Sequence, residues 1–186
     1  MSELTLTGLC GALRAGSSNR LLMAEAIRRF GPARVLDTDL RLPLFDEDIQ
    51  TASGIPPEVQ LLADQIAQAD AVIVVTPEYN KGVSGVLKNA LDWVSRVEGN
   101  PWKDKPVAVM SAAAGRAGGE RAQEMLRWCL NPFRPRVLSG PELMLADGRN
   151  QWDADGRLVN ERSAKTLDQL MSTLRQEAIW IRERNG

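Results

Sequence analysis

This chain reads as an α/β protein, a three-layer sandwich with a five-stranded parallel sheet between two layers of helices. Three observations carry that expectation. Ala71-Val72-Ile73-Val74-Val75-Thr76 and Pro106-Val107-Ala108-Val109-Met110-Ser111 are apolar up to their last residue, as in strands buried on both faces of a parallel sheet. Strand-like segments alternate with segments of helical periodicity along the chain. The strands also run into loops rich in Gly, Ser and Ala, at the place where open parallel sheets bind ligands.

Taken in order, residues 4–9 form the first strand, and a helix opens near Arg20 with Leu22, Ala26, Ile27 and Phe30 on one face. Residues 33–37 are a shorter strand candidate. Pro56 and Pro57 before Glu58 start a second helix through Leu61, Leu62 and Ile66. After the strand at 71–76, Leu87, Ala90, Leu91 and Val94 mark a third helix. Following the strand at 106–111, Gly118-Gly119-Glu120 opens a fourth, which runs to about Leu130. Residues 136–138 are the last strand candidate. A final helix carries Leu167, Leu170, Met171, Leu174, Ala178 and Ile181 on one stripe. Residues 40–54 and 140–160 read as irregular, the second with an Asp153-Ala154-Asp155-Gly156 turn. No repeat or linker breaks the pattern, so residues 1–186 read as a single domain.

Composition excludes several classes. A formal net charge of -1 with no basic run argues against nucleic acid as a partner. No apolar run approaches membrane length and no secretory leader is visible, so the expectation is cytoplasmic with no membrane contact. Cys10 and Cys129 form no CxxC pair, which gives no metal pattern and no disulfide framework. The chain has no histidine, so no His-based triad exists and the chemistry falls to other side chains or a cofactor.

Three loops should meet at the carboxyl ends of the strands. The first, Cys10-Gly11-Ala12-Leu13-Arg14-Ala15-Gly16-Ser17-Ser18-Asn19, offers backbone N–H groups, hydroxyls, an amide and a guanidinium at a helix start, a site for a phosphate. It has the G-x-x-x-x-G spacing of a P-loop, but Ser17 stands at the lysine position, which argues against an NTPase. The dinucleotide fingerprint G-x-G-x-x-G is also missing. A Ser/Gly turn that merely caps a helix has the same composition. In the second loop, Thr76-Pro77-Glu78-Tyr79-Asn80-Lys81-Gly82, the chain's only tyrosine could flank a planar ring or pack over a helix end. The third loop, residues 112–119, is small and permissive of close backbone approach.

These loops, with Gly85-Val86-Leu87-Lys88-Asn89-Ala90-Leu91-Asp92-Trp93, resemble the NADPH-dependent FMN reductase family. That family is flavodoxin-like and includes quinone, chromate and azo-dye reductases. The resemblance implies a bound FMN whose phosphate is held by Arg14, Ser17, Ser18 and Asn19. It implies that Pro77, Glu78, Tyr79 and Asn80 line the isoalloxazine, with Ser111 and Gly115 bordering its other side. Lys88, Asn89, Asp92 and Trp93 belong to the helix that orients the second loop, Lys88 and Asp92 as an i, i+4 pair. The implied activity passes hydride from NADPH or NADH through the flavin to a small-molecule electron acceptor in ping-pong turnover. Quinones, free flavins, azo compounds and oxidised metals are the implied acceptors. No protein side chain is needed as catalyst, and no metal.

Two positions depart from the family's usual pattern. Ala12 replaces a Ser, which removes a hydroxyl worth about 1 kcal/mol to the phosphate. Ser84 replaces a Pro, and can cap the following helix instead. Two alternatives stand beside the reductase: a flavodoxin-type electron carrier, and a non-redox module binding another phosphate ligand. Five tryptophans, Trp93, Trp102, Trp128, Trp152 and Trp180, together with the family's habit, suggest a homodimer or homotetramer.

Overall fold

The computed structural model describes residues 3–185. In chain order its elements begin with β1 (Thr5–Cys10), α1 (Ser18–Phe30), β2 (Arg34–Leu36), α2 (Glu47–Ser53), α3 (Pro57–Gln68) and β3 (Ala71–Thr76). A hairpin of β4 (Glu78–Tyr79) and β5 (Gly82–Val83) follows, then α4 (Gly85–Val94), β6 (Pro106–Ala112) and α5 (Glu120–Leu130). Short strands β7 (Arg136–Val137) and β8 (Leu143–Leu145) precede the long α6 (Glu161–Asn185).

The main sheet is parallel, in the order β2-β1-β3-β6-β7. Its fifth place is split. β7 pairs with the start of β6 through Pro106 and Val107, and β8 with its end through Met110, Ser111 and Ala112. Both lie on the same edge, because β3 occupies the other. Pro141, which has no N–H to give a ladder, falls in the break between them. The expected single strand at 136–138 is therefore two strands, and the segment 140–160 is not wholly irregular. Residues 40–54 likewise contain α2, capped by the Asp46 side chain accepting from Asp48 N–H at 2.9 Å. None of its residues is buried, so no periodicity announces it.

Alternation along the strands builds two cores. Ala71, Ile73 and Val75 of β3, with Ala108 and Met110 of β6, face α1 and α6. Val72, Val74, Val107 and Val109 face α3, α4 and α5. Period 2 in the strands thus serves both faces, which is why residues 71–75 and 106–110 include no polar side chain. Gly8 lets α1 lie directly on β1, since a Cβ there would stand 2.5 Å from Met23 Sδ.

The chain runs from β1 outward to β2 and then back across to β3. That reversal leaves a crevice between the loops after β1 and β3, the place where parallel sheets accept ligands.

Candidate active site

The first loop ends in a capped helix. Ser17 is 5% exposed and its hydroxyl accepts from Asn19 N–H at 3.2 Å, which turns the chain into α1. The first turn of α1 carries no acidic residue, so no carboxylate of its own neutralises its positive end. Arg14 is exposed beside it. Gly11 is required where the first loop meets α4: a Cβ there would lie 2.5 Å from Ser84 Oγ. Ser84 caps α4 as expected, accepting from Leu87 N–H at 3.3 Å.

The second loop is a two-residue hairpin, with Glu78 opposite Val83 and Tyr79 opposite Gly82. Asn80 (φ 50°) and Lys81 (φ 63°) both take the left-handed conformation that a type I′ turn needs. The turn holds Tyr79 outward, 62% exposed. The Glu78 carboxylate accepts from Arg121 and Ala122 N–H at 3.1 and 3.3 Å, capping α5 where Gly119 has no side chain to do so.

A pocket of about 190 Å³ opens between the three loops. Arg14, Ser17, Ser18, Asn19, Pro77, Glu78 and Tyr79 line it, together with Ala112, Ala113, Ala114 and Arg149. Asn80, Ser111 and Gly115 are not among the lining residues. Asn80 is committed to the exposed turn. Ser111 is fully buried, its hydroxyl donating to the Gly118 carbonyl at 2.7 Å and accepting from Gln123 at 2.8 Å. It braces the third loop from beneath. Ala12 is also buried and forms no part of the wall.

Asn19 has a second role that its position in the loop does not reveal. Its side-chain amide is engaged by the backbone of Ala112 at the end of β6, so this pocket-lining residue also holds the pocket wall together. No motif in the sequence points to Arg149. It lies in a segment that reads as irregular, far along the chain from Ser18, and only the fold brings the two to one pocket.

Other expected roles are structural. Lys88 and Asp92 pair at 2.7 Å on the half-exposed face of α4. Asn89 and Trp93 hold the segment before α2, both donating to the Pro43 carbonyl, at 2.9 and 2.8 Å. Burial pushes the Cys10 thiol up from its ordinary range, which disfavours the thiolate. Among the described residues, no group of three or more His, Cys, Asp and Glu side chains could hold a metal ion.

The site thus joins a helix N-terminus free of acidic residues and two guanidiniums to a displayed aromatic ring at the switch point of a parallel sheet. That arrangement defines an α/β protein with a pocket at the carboxyl end of its parallel sheet. The NADPH-dependent FMN reductase family model matches residues 4–150, and the chain belongs to that family. It is 38% identical over 186 residues to an NAD(P)H-dependent FMN reductase of Pseudomonas aeruginosa, covering 99% of this chain and 98% of that protein. A quinone reductase of Escherichia coli K12 is 39% identical over 180 residues, 94% of each chain. Among solved structures, FerB, a flavoenzyme NAD(P)H:(acceptor) oxidoreductase from Paracoccus denitrificans, superposes with a TM-score of 0.83 at 30% identity, covering 94% of this chain and 97% of that one.

Proposed function

We propose that the chain is an FMN-dependent NAD(P)H oxidoreductase that reduces small electron acceptors, quinones foremost. The observation that carries this is the pocket at the switch point, where Arg14 and the start of α1 share a wall with the displayed ring of Tyr79. When bound, FMN supplies the ring that takes hydride from NAD(P)H and returns the electrons to an acceptor. The residues of the chain bind and orient. Arg14, Ser17 and Ser18 hold the phosphate, at the positive end of the α1 dipole. Asn19 lines the same pocket and also fixes the start of the third loop through Ala112. Pro77 and Tyr79 flank the ring, and the small residues at 112–114 let backbone approach its other edge. Tyr79 is exposed, and the one carboxylate lining the pocket, Glu78, is committed to α5, so discrimination among acceptors is weak.

The relatives' reductase names support this reading over a one-electron carrier. The same proposal takes residues 1–186 as a single domain working in the cytoplasm, consistent with two free cysteines. Among the described residues no helix is long and apolar enough to cross a membrane. It also takes the chain as a homodimer or homotetramer. Trp93 and Trp102 are core residues, so the argument falls to other side chains. Tyr79, Met125 and Trp128 support it: they are 62, 42 and 79% exposed, and Met125 Sδ meets Val83 N–H of the hairpin at 3.5 Å. Light scattering that returned a monomer would overturn the assembly.

The test of function is an anaerobic visible spectrum of protein reconstituted with FMN and desalted, before and after NADPH. Retained flavin bands that bleach are expected. Retained bands that NADPH and NADH both leave unchanged would overturn the reductase, and failure to retain flavin would overturn the site.

A further inference from the structure

Arg149 reaches the pocket from the far edge of the sheet, and the backbone around it is fixed. Gly148 N–H donates to the Ala113 carbonyl at 3.0 Å, and the Gly148 carbonyl accepts from Trp152 Nε1 at 2.7 Å. A Cβ at position 148 would lie 3.2 Å from Ser18 Cβ and 3.3 Å from Ala112 Cβ. Glycine therefore lets this segment press against the first turn of α1. The next residue is Arg149, exposed on the rim of the pocket that Arg14 also lines.

Charge gives the arrangement its meaning. A phosphate monoester carries roughly 1.5 to 2 negative charges at neutral pH, and a helix N-terminus offers about half a positive charge. Arg14 and the helix end together supply about 1.5 positive charges, only the lower end of that range. Asp147, beside Gly148, has both carboxylate oxygens bonded by Asn150 at 3.0 Å, and Glu78 is committed to α5. Among the described residues no ion pair engages either Arg14 or Arg149.

We propose that Arg149 is a second phosphate-binding residue of the FMN site, completing with Arg14 a two-guanidinium clamp that selects FMN over riboflavin. This rests on the FMN reading above. The guanidinium fork suits a phosphate, and its contribution is absent for a flavin that ends in a hydroxyl.

The test is titration of apoprotein with FMN and with riboflavin, followed by flavin fluorescence, for wild type, R149A and R14A. Arg149 is exposed, so R149A is expected to fold, and circular dichroism checks it. R149A should bind FMN about tenfold more weakly and riboflavin with less than about twofold change. Equal weakening for both flavins, or no change in either, overturns the proposal. If R14A abolishes the preference for FMN while R149A leaves it intact, only the role of Arg149 fails. If wild type itself does not prefer FMN, the reading of the phosphate site fails with it.

Discussion

The side-chain amide of Asn19 closes a double hydrogen bond with the backbone of Ala112, donating to its carbonyl at 2.8 Å and accepting from its N–H at 2.9 Å. The ladder between β3 and β6 ends at Thr76 and Ser111, one residue earlier. Asn19 therefore takes the place of a strand residue, and ties the start of α1 to the end of β6 across the crevice.

Replacing Asn19 by Ala leaves both polar groups of Ala112 without these partners in a buried place. N19A should lose about 2–3 kcal/mol of stability in urea denaturation. Its FMN affinity should fall as well, since two walls of the pocket lose their common anchor. Unchanged stability would mean that water replaces the amide.

Glu25 is a buried carboxylate held by Arg28 at 2.7 Å, Arg29 at 2.7 Å and Arg157 at 3.4 Å. Burial alone would raise its pKa, but the hydrogen bonds and charges of Arg28 and Arg29 outweigh it and bring it down to about 2. The folded value lies below the ordinary one of 4.5, so the stabilisation is complete above that pH and fades as the pH falls toward 2. E25Q should cost about 2 kcal/mol at pH 7, less than a fully buried pair because Arg28 and Arg157 are half-exposed. The difference from wild type should shrink on acid titration, and a difference constant from about pH 7 to about pH 2.5 would refute this origin.

Gly119 has φ 97°, and a Cβ there would stand 2.7 Å from Ser111 Oγ. Ser111 cannot retreat, because Gly118 and Gln123 hold its hydroxyl. G119A should destabilise by about 2–4 kcal/mol, read from the denaturation midpoint. A loss under about 0.5 kcal/mol would show that the third loop is freer than its bonds imply.

Tyr79 separates binding from stability. Being exposed on a hairpin, its replacement by Ala should change stability by no more than about 0.5 kcal/mol. Binding of FMN and riboflavin should both weaken several-fold, about 1 kcal/mol, because the lost contact is with the ring they share. Selective loss of FMN alone would place Tyr79 at the phosphate instead.

The chain is most readable where burial repeats. β3 and β6 are apolar on both faces, and α3, α4 and α6 carry stripes, so each declares itself through periodicity. α2 buries nothing, and β8 is three residues long, so neither leaves a pattern to read. The hairpin after β3 depends on left-handed Asn80 and Lys81, and Lys is an unusual residue there.

Local composition and periodicity suffice for the α/β class, the three loops and the capped helix start that ends the first, because each is encoded within a short stretch of chain. Which of those residues face the ligand is a property of the folded molecule alone. Asn19 and Ser111 turn inward to satisfy buried polar groups, Glu78 caps a helix whose own cap is glycine, and Arg149 arrives from a distant segment. A side chain's task depends on which backbone groups lie within about 3 Å of it, and those neighbours are fixed by the fold rather than by spacing in the chain.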